Sequence, residues 1–162
     1  MAISSARMSS AQDALLQGCA QIVGASQVLC GDDDLALPFR QDWTGQYGAI
    51  PLAVVRPRTT QEVSDIVRLC RAQGVSIVPS GGRTGLCGGG VPVSDHSSII
   101  LSLERMNTVR ALDVDGRSMT VEAGVILQTA QDHARDNGLV FPLTFGAQGS
   151  AMIGGALSTN AG

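Results

Sequence analysis

Two glycine-rich stretches hold the residues best suited to chemistry in this chain. The first is Ser80-Gly81-Gly82-Arg83-Thr84-Gly85-Leu86-Cys87-Gly88-Gly89-Gly90, directly after the apolar run Val75-Ser76-Ile77-Val78-Pro79. The second runs from Gly146 to Gly162 and includes Gly149, Ser150, Ile153, Gly154, Gly155, Thr159 and Asn160. Glycine lets backbone amides approach a ligand with no Cβ in the way and admits φ > 0. Successive amides turned the same way form an anion-binding nest, and a diphosphate is a natural guest. Hydrogen bonds to a charged acceptor contribute roughly 1.5–3 kcal/mol each, so a few such amides anchor a cofactor. Turns between strands seldom need glycine at this density with Arg83 and Thr84 set between. Two such loops in one short chain favour a phosphate site over plain turns.

The familiar phosphate loops do not fit. A dinucleotide fold of the usual kind opens a helix with G-x-G-x-x-G, and Gly81 to Gly90 lacks that spacing. Val91-Pro92-Val93-Ser94-Asp95 follows, an extended or turn-like stretch that offers no helix start. A P-loop needs a lysine, and all 11 basic residues here are arginine. The same absence removes the Schiff-base residue of pyridoxal-phosphate chemistry.

Composition narrows the partners. The chain has 162 residues, 44% hydrophobic and 15% charged, which describes one globular core and not a disordered segment. Trp43, Tyr47, Phe39, Phe141 and Phe145 are its only aromatics, too few for a single-strand stacking surface. A net charge of −3 without a basic cluster excludes a nucleic-acid partner. Met1 to Met8 lacks the apolar core of a secretory signal, and its serines and single arginine are only a faint hint of an organelle presequence. The expected location is cytoplasmic, or mitochondrial for a eukaryotic source. Asn137 to Gly162 is uncharged but broken by Pro142 and glycines, so no membrane span is expected. Cys19, Cys30, Cys70 and Cys87 show no C-x-x-C spacing, and His96 and His133 have no second ligand at metal spacing; disulfides and metal are not expected. Gly31-Asp32-Asp33-Asp34 lacks the remaining ligands of a calcium loop and reads as a solvated turn.

The elements that must position the loops follow from periodicity. Ser10 to about Gly24 reads as a helix with Leu15, Leu16, Cys19, Ile22 and Val23 on its apolar face. Leu52 to Arg56 is a strand ended by Pro57. Thr59-Thr60-Gln61-Glu62 has capping-box spacing and starts a helix whose buried stripe is Val63, Ile66, Val67 and Cys70, closed by Gly74 in a left-handed cap. Val75 to Val78 is the next strand, so residues 52–78 form a β-α-β unit with parallel strands. The first glycine loop then leaves the C-terminal end of a parallel strand, where such sheets place ligands. Further strands are predicted at Ile99–Leu103 and Met119–Ala123, and a helix from Val125 to Asn137 with Gly138 at its end. The uncharged stretch from Leu139 onward reads as the middle of a domain, which implies truncation.

With both loops in view, the chain resembles the vanillyl-alcohol-oxidase-type flavoproteins, which carry the FAD-binding domain of the p-cresol-methylhydroxylase type. Within that group it is similar to FAD-linked dehydrogenases of D-2-hydroxy acids, whose substrates include D-lactate, glycolate and D-2-hydroxyglutarate. The resemblance rests on Asp42-Trp43-Thr44-Gly45, on Ala53 to Val63, on Pro79 to Leu86, and on Val121-Glu122-Ala123-Gly124-Val125. It continues through Phe141-Pro142-Leu143, Gly149-Ser150 and Ile153-Gly154-Gly155 to Thr159-Asn160-Ala161-Gly162.

The resemblance implies an α+β fold: the first subdomain of this FAD domain, a small parallel sheet with flanking helices, plus the start of the second. It implies an N-terminal helical segment at 1–47 and the FAD-binding domain at 48–162, cut at its C-terminal end. Cofactor contacts are implied for Pro79, Ser80, Gly81, Gly82, Arg83, Thr84, Gly85 and Leu86 around the pyrophosphate. Nearer the flavin they are implied for Pro142, Gly146, Gly149, Ser150, Ile153, Gly154, Gly155, Thr159 and Asn160. Some relatives bind flavin covalently through a histidine in the first loop; here that loop has none, which implies noncovalent FAD, with Cys87 a small packed residue. Gly82 and Gly154 are expected to be held glycine by ligand approach and positive φ. The substrate hydroxy acid, the electron acceptor and the catalytic groups would be met by parts of the protein beyond this chain, so no catalytic residue is carried over and the chain alone is expected to be inactive. A non-catalytic nucleotide-binding module, or the same fold acting on a sugar lactone or cell-wall precursor, is the alternative.

Overall fold

The computed structural model describes residues 10–161; the readings of Met1 to Met8 and Gly162 lie outside them. Helix α1 (Ser10–Val23) buries Leu15, Cys19 and Val23, as its periodicity predicts. Helix α2 (Thr60–Gln73) begins where the cap predicts: Thr59 Oγ1 accepts from the Glu62 amide at 3.1 Å. The Glu62 carboxylate reaches back one residue further than a capping box requires, to the Arg58 amide at 2.6 Å. Gly74 closes the helix at φ 68°, with the Val75 amide donating to Cys70 O at 3.0 Å. Ile66 and Cys70 are buried, but Val67 is 43% exposed and does not belong to the stripe. The apolar face of α2 is narrower than the sequence suggested, because α1 and the sheet meet only one side of it.

The first sheet has the order β1-β2-β4-β3, from β1 (Val28–Cys30), β2 (Ala53–Val55), β3 (Ser76–Ser80) and β4 (Ser98–Ser102). β2, β4 and β3 are parallel and β1 is antiparallel to β2. The β-α-β unit predicted over 52–78 therefore skips a place: β4 lies between its two strands. Every residue of β4 is buried, which explains the unbroken Ile99-Ile100-Leu101 run of a strand covered on both faces. One face packs Ala53, Val55, Ile99 and Leu101 under α1 and α2. The other packs Val54 and Ile100 against Ala36 and Phe39 of a 3-10 turn, Asp34–Phe39. β3 lies at the sheet edge, where Pro79 is tolerated.

A hairpin of β5 (Val109–Asp113) and β6 (Ser118–Val121) follows, then α3 (Leu127–Asp136) and a short α4 (Ile153–Ser158). Val125, Leu127, Ala130 and Ile153 form a second core against Val109, Met119, Val121, Phe141, Leu143 and Phe145. The second glycine stretch is thus not an uninterrupted loop. Ile153, 7% exposed in this core, holds one helical turn despite the Gly154-Gly155 pair. Among the described residues no helix is long and apolar enough to cross a membrane.

Candidate functional site

The first glycine loop starts where β3 ends, at the C-terminal edge of the parallel sheet. Ser80 is paired in register with Ser102, and its carbonyl accepts from the Leu103 amide at 3.0 Å. Both serines are fully enclosed, and neither Oγ has a partner among the described residues. Beyond Ser80 the ladder stops. No amide from Gly81 through Gly90 donates to a protein acceptor among the described residues. Val91 resumes bonding, donating to Gly88 O. Such a run of free donors beside a packed sheet is what an anion-binding nest requires.

Two neighbours fix the loop. Arg83 has φ 55°, and its guanidinium carbon lies 4.4 Å from the centre of the Phe39 ring. Gly88 has φ 71°, and a Cβ there would meet the Tyr47 ring at 2.6 Å. Tyr47 belongs to a turn tied by Asp42, whose carboxylate accepts from Thr44 Oγ1 at 2.8 Å and the Tyr47 amide at 3.2 Å. Desolvation pulls the Asp42 carboxyl upward, but these hydrogen bonds outweigh it and hold it below the usual aspartate value. Nothing in the sequence links Phe39 or Tyr47 to the loop; both lie outside it and obey no periodicity with it.

The second stretch is pinned by residues 123–128. Gly154 N donates to Ala123 O at 2.8 Å, Ile153 N to Val125 O at 2.9 Å, and the Leu127 and Gln128 amides donate to Ala151 O and Gln148 O. Gly124 in turn donates to Met106 O at 2.8 Å, and a Cβ on it would fall on the Leu103 carbonyl just past β4. This chain of close backbone contacts brings the second stretch to the first. A Cβ on Gly82 would fall on Ser150 O, and one on Gly81 would touch the Met152 side chain at 3.5 Å.

The predicted site residues thus divide. Gly81, Gly82 and Ser150 sit at the junction of the two stretches. Gly85, Gly146, Gly149 and Gly155 have open space where a Cβ would stand. Pro79, Gly85 and Leu86 are exposed, and Thr84 is half-buried. Ile153 is a core residue and Gly154 packs on Ala123. Pro142 is exposed, while Thr159 and Asn160 lie at the C-terminal end of α4; Asn160 shares an apolar cleft with Phe141, Leu143 and Leu157. Neither Gly82 nor Gly154 has positive φ; contact with protein already forbids a side chain at both. Cys87 is exposed and not packed, as are Gly85 and Leu86 before it. His96 N donates to Ile50 O and its Nε2 lies 4.0 Å from Asp32. No group of metal-ligating side chains forms among the described residues.

Residues 51–162 match the FAD binding domain family. The chain belongs to that family. A D-2-hydroxyglutarate dehydrogenase of Xanthomonas citri pv. viticola is 44% identical over 124 residues, 76% of this chain and 26% of that protein. The mitochondrial D-2-hydroxyglutarate dehydrogenase of Danio rerio is 40% identical over 131 residues, 81% of this chain and 24% of its own length. The chain therefore spans about a quarter of these relatives. The fold is shared with p-cresol methylhydroxylase with substrate bound (TM-score 0.75, 24% identity, 96% of this chain and 30% of that one). It is shared too with alkyldihydroxyacetonephosphate synthase (TM-score 0.81, 20% identity, 98% and 30%). The p-cresol-methylhydroxylase-type α+β fold read from the sequence is the fold observed.

The residues present suit FAD. The amides along Gly81–Gly90 and the Ser80 Oγ and Arg83 Nη1 have no protein partner among the described residues, and Gly85, Gly89 and Gly90 have open space at the Cβ position, which is what a bound diphosphate would need.

Proposed function

We propose that this chain is the cofactor-holding portion of a flavin-dependent oxidoreductase that converts a D-2-hydroxy acid to its 2-oxo acid, with FAD bound noncovalently. The observation that carries the reading is the first loop, whose amides from Gly81 to Gly90 are free while its base is locked against Ser150. These amides, with Ser80 and Thr84, hold the diphosphate; Gly146, Gly149, Ser150 and Gly155 border the rest of the cofactor. The relatives' names support the substrate class. When bound, FAD supplies a two-electron acceptor for the hydride on the carbon bearing the hydroxyl.

This chain's residues bind and orient. No group of this chain is assigned the hydroxyl proton: both imidazoles lie outside the glycine stretches, His96 with its Nε2 4.0 Å from Asp32 and His133 in the last turn of α3. Nor is any assigned the contacts to substrate and electron acceptor. Noncovalent attachment is supported by the absence of histidine from Ser80 to Gly90. Cys87, exposed in that loop, is the one side chain there able to form a flavin thioether, and the test addresses it.

Acid precipitation of the full-length protein should release all flavin into the supernatant, and dye reduction should follow addition of D-2-hydroxyglutarate or D-lactate but not the L-enantiomers. Flavin fluorescence retained on the denatured protein would refute noncovalent binding. A flavin-loaded protein inert to every D-2-hydroxy acid would refute the substrate class.

A further inference from the structure

Arg83 carries two unfavourable features at once. It is a non-glycine residue in left-handed backbone, φ 55°, a conformation costly to a residue with a Cβ. Its Nη1 is also shut away from solvent without a hydrogen-bond partner among the described residues. A donor on a charged group, buried and unpaired, is costly unless something else receives it. The guanidinium is nonetheless placed with care: its carbon sits 4.4 Å over Phe39, itself 4% exposed. Phe39 is the last residue of the 3-10 turn, and Arg40 next to it is anchored by Nε to Gly31 O at 2.9 Å and Nη2 to Asp33 O at 2.8 Å. Stacking uses the face of a guanidinium and leaves its in-plane N–H groups for an acceptor. Arg83 belongs to the loop whose amides from Gly81 to Gly90 find no protein acceptor among the described residues.

We propose that the Arg83 side chain, seated on Phe39, holds Nη1 ready for a nonbridging oxygen of the cofactor's diphosphate, so that the loop is strained and under-bonded until that anion arrives. The inference rests on the FAD reading above and adds a side-chain contact to a site otherwise made of backbone. Arg83 is then the residue that makes affinity depend on the anionic part of the cofactor, and Phe39 is its positioning residue.

The test uses apoprotein prepared from the full-length protein, with Arg83→Gly and Phe39→Leu as variants. Glycine suits φ 55°, so Arg83→Gly keeps the loop's backbone and removes only the side chain. Calorimetric titration with FAD and with riboflavin, which lacks the diphosphate, separates the anionic contact from the flavin contact. Arg83→Gly should weaken FAD binding by about ten-fold or more, leave riboflavin affinity unchanged, and leave the apoprotein's thermal midpoint equal or higher. Phe39→Leu should weaken FAD binding in the same selective way with Arg83 still present. Wild-type FAD affinity in Arg83→Gly, or equal weakening of FAD and riboflavin, would overturn the proposal while leaving the FAD reading intact. A wild-type apoprotein that binds neither ligand would overturn that reading and this inference together.

Discussion

The Ser150 carbonyl oxygen occupies the space that a Cβ on Gly82 would need. The two glycine stretches are therefore in backbone contact with no ligand present, and protein contact by itself holds position 82 as glycine. Gly82→Ala must push the second stretch away from the first, at an expected cost of about 1–3 kcal/mol as for other overpacked sites. Gly85→Ala, with nothing within 4 Å of its Cβ position, should leave stability nearly unchanged. Urea unfolding of the apoprotein distinguishes the two, and equal stabilities would mean that the loops do not touch in solution.

The sequence made the alternation of strands and helices legible through β4, because long periodic segments and their caps are local signals: Thr59 before α2 and Gly74 after it are where they were expected. It left β1 and β5 unread. Val28-Leu29-Cys30 is a strand of three residues that exists only because β2 offers an edge. β5 is half-buried only at Val109 and Leu112, and the register shift between Val109 and Ala111 breaks any alternation. The order of the sheet was illegible too, since nothing in residues 52–78 says that β4 will sit between β2 and β3. The glycine stretches raised the expectation of a phosphate site from composition, and the resemblance named FAD, which the family match supports. Phe39 and Tyr47, which shape the first loop, act through tertiary contacts that leave no pattern in the sequence.

Thr59→Ala should cost about 1 kcal/mol, the usual contribution of a side-chain N-cap. The variant loses the 3.1 Å bond from the Glu62 amide while the Arg58–Glu62 contact remains. Denaturant unfolding should show a lower midpoint with an unchanged slope. An unchanged midpoint would mean that water replaces the cap without loss.

Cysteine reactivity should follow burial. Cys87 is exposed in the first loop, whereas Cys19 and Cys70 are enclosed in the core between α1 and α2. The hydrogen bond with Cys70 and burial both push the Cys19 thiol far up, so it is not a nucleophile in the folded protein. Brief iodoacetamide treatment followed by peptide mapping should label Cys87 first and leave Cys19 unlabelled until denaturant is added. Bound FAD should slow the labelling of Cys87 if the loop closes on the cofactor. Early labelling of Cys19 would show that α1 detaches from the sheet.

Glu122 should give the fold a defined acid sensitivity. Its carboxylate accepts from Arg110 Nη2 at 2.9 Å and from the Thr108 amide at 2.9 Å, with its side chain 11% exposed. The hydrogen bond from Arg110 first, and that from the Thr108 amide next, hold its carboxyl below the ordinary glutamate value of 4.5. A carboxyl depressed on folding stabilises the native state above its unfolded value, because the unfolded chain binds the proton more readily there. That contribution is complete above about pH 4.5 and is lost as pH falls through the lower, folded value. Glu122→Gln keeps an acceptor for the Thr108 amide and removes the charge. Wild type should therefore be more stable than the variant near neutral pH, and the gap should close in acid. High salt should narrow the gap only in part, since Arg110 is half exposed but the amide contact is not screened. Urea unfolding of both proteins across the acid range measures it, and a gap that persists well below pH 4.5 would mean that Glu122 acts through packing and not through its charge.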